Sequence, residues 1–182
     1  MENKNQMPET GRNSNNRLLT GMFNDRESTE SAYKSLQERG YTTDEVNLLM
    51  SDETRNKHFK KGETEIGTKA MEGAGTGSAI GGAVGATIGI IAAIGTSVLI
   101  PGLGLVIAGP LAAGLAGAGA GGVTGGIIGA LVGSGMDEER ARLYESGVKD
   151  GKIVMGVHPR NEEDAEYFKT DWTTKKAEKI HY

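Results

Sequence analysis

The chain has 182 residues, no cysteine, 29 glycines and a formal net charge of −4. Without cysteine there is no disulfide, thiolate metal site or cysteine nucleophile, and a reducing cytosolic compartment suits the chain. An acidic balance gives no basic footprint for nucleic acid, so no nucleic-acid partner is expected.

Residues 1–16, MENKNQMPETGRNSNN, hold no aliphatic residue except two methionines and no apolar core for a secretory signal. They are expected to form a disordered tail. RLLTGMF (Arg17–Phe23) reads as a strand ending at a helix cap supplied by Asn24 or Asp25. The helix DRESTESAYKSLQERG carries Ala32, Tyr33 and Leu36 on one face, and Gly40 is its C′ stop. EVNLLMS (Glu45–Ser51) alternates as a strand with one more apolar face. A charged linker follows to residue 72, holding Arg55, Lys57, Lys60, Lys61 and Lys69.

From Gly73 to Met136 there is no Asp, Glu, Lys or Arg, and this block holds 21 of the 29 glycines. Gly77, Gly81, Gly85 and Gly89 are spaced by four, as are Gly117, Gly121, Gly125, Gly129 and Gly133. On helices each series is a bare stripe along one face, with Ile80, Val84 and Ile88, or Val123, Ile127 and Leu131, lying off it. Bare stripes let two helix backbones approach closely. IPGLG, with Pro101, Gly102 and Gly104, is the turn between the arms. Residues 73–135 are therefore expected to be a glycine-zipper α-helical hairpin, Gly77 to Gly89 packing against Gly121 to Gly133. Ala79–Ile100 would reach about 33 Å as a helix, enough to span a bilayer. The second arm is less lipophilic, and Pro110 starts or kinks it. The lysines and Arg55 before the block would keep the flanks cytoplasmic. The competing expectation is a water-soluble hairpin packed on the chain's own sheet or on another copy.

In residues 136–182, MDEERARLYESGVKDG reads as a helix capped by Asp137, and KIVMGVHP as a strand. RNEEDAEYFKTDW is a helix capped by Asn161, with Ala165, Phe168 and Trp172 on one stripe. AEKIHY closes the chain as a last strand. Leaving out the block and the helix after Asp137, the order is βαβ followed by βαβ. The expected fold is α+β: a ferredoxin-like βαββαβ domain, split into residues 17–72 and 136–182 and interrupted by the hairpin. Its first and third strands would be central, and Gly21 and Gly156 within them mark close approach of a neighbouring backbone.

No catalytic, metal or cofactor constellation is expected. Gly117-Ala-Gly-Ala-Gly-Gly122 matches G-x-G-x-x-G, but outside a βαβ unit in so glycine-rich a stretch the match carries no weight. His58, His158 and His181 have no metal-ligand spacing. The acidic runs at 137–139 and 162–164 fall in first helical turns, where the helix dipole accounts for them. TGMFNDRESTESAYKSLQERGY, EVNLLMSDE, VLIPGLGLVIAGPLAAGLAG and GALVGSGMDEERARLYESGVKDGKIVMGVHP together resemble the bacterial general stress proteins called heat-induced stress proteins, over about Arg17 to Ala165. The resemblance implies a stress-response context and supplies no catalytic residues. The resulting expectation is a non-enzymatic protein whose hairpin mediates membrane association or self-assembly, in the cytoplasm or at the cytoplasmic face of the membrane. The alternative is a soluble regulatory or small-ligand-binding module. The protein partner is left open.

Overall fold

A computed structural model describes residues 17–59, 98–100, 104–112, 126–133 and 136–182. In chain order these form β1 (Leu19–Phe23), α1 (Arg26–Glu38), a 3-10 turn (Thr43–Glu45), β2 (Val46–Ser51) and α2 (Asp52–Phe59). Then come β3 (Val98–Ile100), β4 (Leu105–Ala108), α3 (Gly126–Gly133), α4 (Glu138–Lys149), β5 (Ile153–Val157), α5 (Glu162–Thr174) and β6 (Glu178–His181). The expected tail, residues 1–16, lies outside the described residues.

The caps fall where side-chain chemistry places them. Asp25, Asp137 and Asn161 each accept a hydrogen bond from the backbone N–H three residues on, at Ser28, Arg140 and Asp164. Gly40 takes φ +79 just past α1, as a helix stop requires.

All six strands join one antiparallel sheet, in the order β3-β4-β2-β5-β1-β6. The expected central strands β1 and β5 are neighbours, registered Leu19 to Val157 through Phe23 to Ile153. Strand alternation sends side chains to two separate apolar clusters, one per face. The first face carries Leu19, Phe23, Leu48, Met50, Met155 and Val157 beneath α1 and α5, with Tyr33, Leu36, Phe168 and Trp172 filling the space. The second carries Met22, Leu49, Leu105, Ile107 and Val154, covered by α3 and α4 through Ile127, Leu131, Tyr144 and Val148. Coverage of both faces explains why β2 is buried at five of its six residues rather than on one face alone.

Two expectations are corrected. Val98–Ile100 and Leu105–Ala108, placed by sequence reading in a helical hairpin, are strands, and Gly104 sits between strands rather than helices. Both segments concentrate β-branched residues and leucine, which suit a pleated surface. The outer edge of β2 also presents backbone groups that need partners, and β4 supplies them from Leu48–Ala108 to Ser51–Leu105. The continuous helix expected over Ala79–Ile100 therefore does not reach Ile100. The charged linker, in turn, begins as a helix: α2 buries Thr54 and Phe59, and Arg26 lies over the Phe59 ring at 5.5 Å.

Candidate functional site

The glycine-rich block meets the sheet on its second face, and this junction is the candidate site. After β4 the chain turns at Gly109, whose φ is +86 and whose missing Cβ would stand 2.1 Å from the Val46 carbonyl oxygen. Only glycine combines that backbone with that proximity. Pro110 opens a helical segment at 110–112, where its lack of an N–H does no harm. Asn47, 2 % exposed at the second position of β2, anchors the segment. Its Oδ1 accepts the Leu111 N–H at 2.8 Å, and its Nδ2 donates to the Gly156 carbonyl at 3.4 Å. A polar residue inside an apolar strand is thus satisfied by capping a helix start, which fixes the block against the sheet.

Beside Asn47, the fully buried Tyr144 of α4 donates its hydroxyl to Thr20 of β1. Burial pushes the Tyr144 hydroxyl up to about 12. Thr20, Asn47, Tyr144, Leu111, Leu131 and Met136 line one enclosed cavity of about 10 Å³. That is room for about one water and none for a metabolite.

Of the expected helix-packing residues, Gly129 and Gly133 lie in α3. Their helix presents Ile127 and Leu131 to the second apolar cluster, while Val132 is 42 % exposed. Gly77, Gly81, Gly85, Gly89, Gly117, Gly121 and Gly125 lie outside the described residues, as do Pro101 and Gly102. Gly104 takes φ +60, and its carbonyl accepts the Asp52 N–H at 2.7 Å. No described helix is long and apolar enough to cross a membrane.

Gly21 and Gly156 are approached most closely by side chains, not by the neighbouring backbone expected from the sequence. A Cβ on Gly21 would stand 3.0 Å from the Trp172 ring, and one on Gly156 would stand 3.2 Å from Thr20 Cγ2.

On the first face, sequence reading missed a polar network across the sheet's end. Asp164, 7 % exposed in the first turn of α5, accepts from Arg39 Nε at 2.8 Å and from the Tyr41 hydroxyl at 2.6 Å. The Tyr41 oxygen in turn accepts the Arg160 N–H at 2.8 Å, and Arg160 pairs with Glu45 at 3.0 Å. The helix dipole therefore explains only part of the 162–164 run, because Asp164 also joins the end of α1 to the start of α5. Burial, then the hydrogen bond to Asp164, pushes the Tyr41 hydroxyl up to about 12. Every polar group in this chain of contacts has a partner inside it, which marks a structural tie rather than a reactive centre. Among the described residues no group of three or more His, Asp or Glu could hold a metal ion. No protein family, curated protein or solved structure matches the chain.

Proposed function

We propose that this chain is a non-enzymatic stress-response protein on a ferredoxin-like framework, with the glycine-rich block as its association element. The framework is supported by the neighbouring strands β6-β1-β5-β2, with α1 and α5 on one face and β4 and β3 added at one edge. The stress-response context rests on the resemblance to the heat-induced stress proteins and is tested by following the protein's abundance after a heat shift.

The observation that carries the association reading is the two-sided character of α3. One side buries Ile127 and Leu131 on the chain's own sheet, while Val132 stays exposed beside glycines spaced by four. An apolar helix with small residues at that spacing suits a second helix, from this chain, from another copy or within a membrane. The test uses the full chain and its Gly85→Leu/Gly125→Leu double variant. Sedimentation gives the oligomeric state, and an alkaline carbonate wash of the membrane pellet gives insertion. We expect wild type to sediment as a defined assembly or to stay in the washed membrane, and the double variant to lose that behaviour. A monomeric supernatant protein, unchanged by both leucines, overturns this reading.

One observation favours the second reading, a soluble module with the block packed on its own sheet: Asn47 ties residue 111 to the sheet interior. A monomeric wild type whose melting temperature rises with a member of a metabolite panel would support that reading.

A further inference from the structure

The C-terminal strand lies at one edge of the sheet and is the one described strand whose register is irregular. β6 pairs only with β1, at Thr20↔His181 and Met22↔Glu178, with a register irregularity between the two. Lys176 and Lys179 take φ +62 and +50, in the left-handed region that side chains rarely occupy. At its start the strand is pinned by Glu178, which accepts from Lys152 Nζ at 2.6 Å and from Asn24 at 2.7 Å. Ile180 and Tyr182 pack on the first face.

His181 turns to the other face, toward Tyr144, with ring centroids 6.3 Å apart and an edge-on arrangement. Its Nε2 is buried and has no hydrogen-bond partner. The Tyr144 hydroxyl gives its proton to Thr20, the cross-strand neighbour of His181, and makes no hydrogen bond to the imidazole. A neutral imidazole tolerates this site, because its unprotonated nitrogen leaves no N–H unsatisfied. An imidazolium is a donor at both nitrogens and would bury an N–H without an acceptor.

The charged groups around the ring are Arg140, Asp137 and Glu139 at the start of α4, and Lys179 on β6 itself. Asp137 is already paired with Arg140 at 3.2 Å. Desolvation is the main influence on the ring and Arg140 the next, both opposing a positive charge, while Asp137 and Glu139 only partly offset them.

We propose that His181 is a pH-sensitive latch on the C-terminal strand: neutral, it lets β6 cover the outer edge of β1; protonated, it drives β6 off and opens that edge. The geometry sets the direction. The docked ring holds its proton less tightly than a free one, so acidification favours the released strand. Docking is strongest above the ordinary histidine pKa of about 6.5 and weakens below it. An uncovered β1 would present a row of backbone donors and acceptors, the surface that β-strand addition uses.

The test is hydrogen exchange on the full chain at about pH 7.5 and about pH 5.5, corrected for intrinsic rates, with β5 as internal reference. We expect protection at residues 178–181 to fall several-fold relative to residues 153–157 on acidification. His181→Phe, which keeps a ring but cannot be protonated, should remove that pH dependence. Relative protection that does not change with pH overturns the latch, as does a His181→Phe protein that keeps the wild-type dependence. An NMR titration of wild type supplies the second measurement and needs no variant to fold. A His181 imidazole titrating at or above the value of a free histidine overturns the proposal, and one titrating below it supports it.

Discussion

Two glycines with positive φ separate backbone conformation from steric room. At Gly104 a Cβ would meet nothing within 4 Å, whereas at Gly109 it would meet the Val46 carbonyl at 2.1 Å. Asparagine tolerates the left-handed region better than most residues. Gly104→Asn should therefore change stability by no more than about 0.5 kcal/mol. Gly109→Asn should cost about 3 kcal/mol or more, because β2 backbone must move to admit it. Urea midpoints of the two variants decide this, and equal losses would mean that the Val46 contact is not limiting. Asp164 argues at the same scale. Truncating it to alanine leaves the Tyr41 hydroxyl and the Arg39 guanidinium without their carboxylate, at a cost of about 2 kcal/mol in the same assay.

α3 decides whether the glycine-rich block belongs to the fold. Leu131, 2 % exposed, is core, whereas Val132, one residue on, is 42 % exposed. Leu131→Ala should cost about 2–4 kcal/mol and Val132→Ala less than about 0.5 kcal/mol, read from thermal or urea unfolding. Two near-neutral variants would mean that α3 does not contribute to the second apolar cluster. The elements legible in the sequence were those with their own signals. Asp25, Asp137 and Asn161 announced helix starts, Ala165, Phe168 and Trp172 a buried stripe, and the Ile/Val run at 153–157 a strand. β3 and β4 were not legible as strands, because Val98–Ile100 and Leu105–Ala108 are short apolar runs between two stretches of glycines spaced by four. Such runs fit helix and strand alike until the unpaired edge of β2 selects strand. The junction was hidden for a related reason. Asn47 reads as the polar side of an alternating strand, and only the fold brings it to Leu111, 64 residues away.

The described residues form one sheet with an apolar cluster on each face, and β1 and β5 contribute side chains to both. A mutation or charge on either face should therefore be felt through shared strands, and the two raised tyrosines report on this. Tyr41 belongs to the first cluster and Tyr144 to the second, and each hydroxyl is pushed up to about 12. An unfolded tyrosine ionises near 10, so the folded state binds these protons more tightly. Their contribution to stability is fully present below about pH 10 and is lost as pH rises through the folded value. If the sheet couples its faces, both tyrosines should ionise together with the loss of far-ultraviolet circular dichroism, as one transition in tyrosinate absorbance. In Tyr144→Phe one of the two linked protons is gone, so the slope of stability against pH above about 10 should fall by roughly half. Two resolved transitions, with Tyr41 ionising while the second cluster stays intact, would instead mean that the glycine-rich side of the sheet folds and unfolds on its own. The junction at Asn47 would then be a hinge between two units rather than a seam within one.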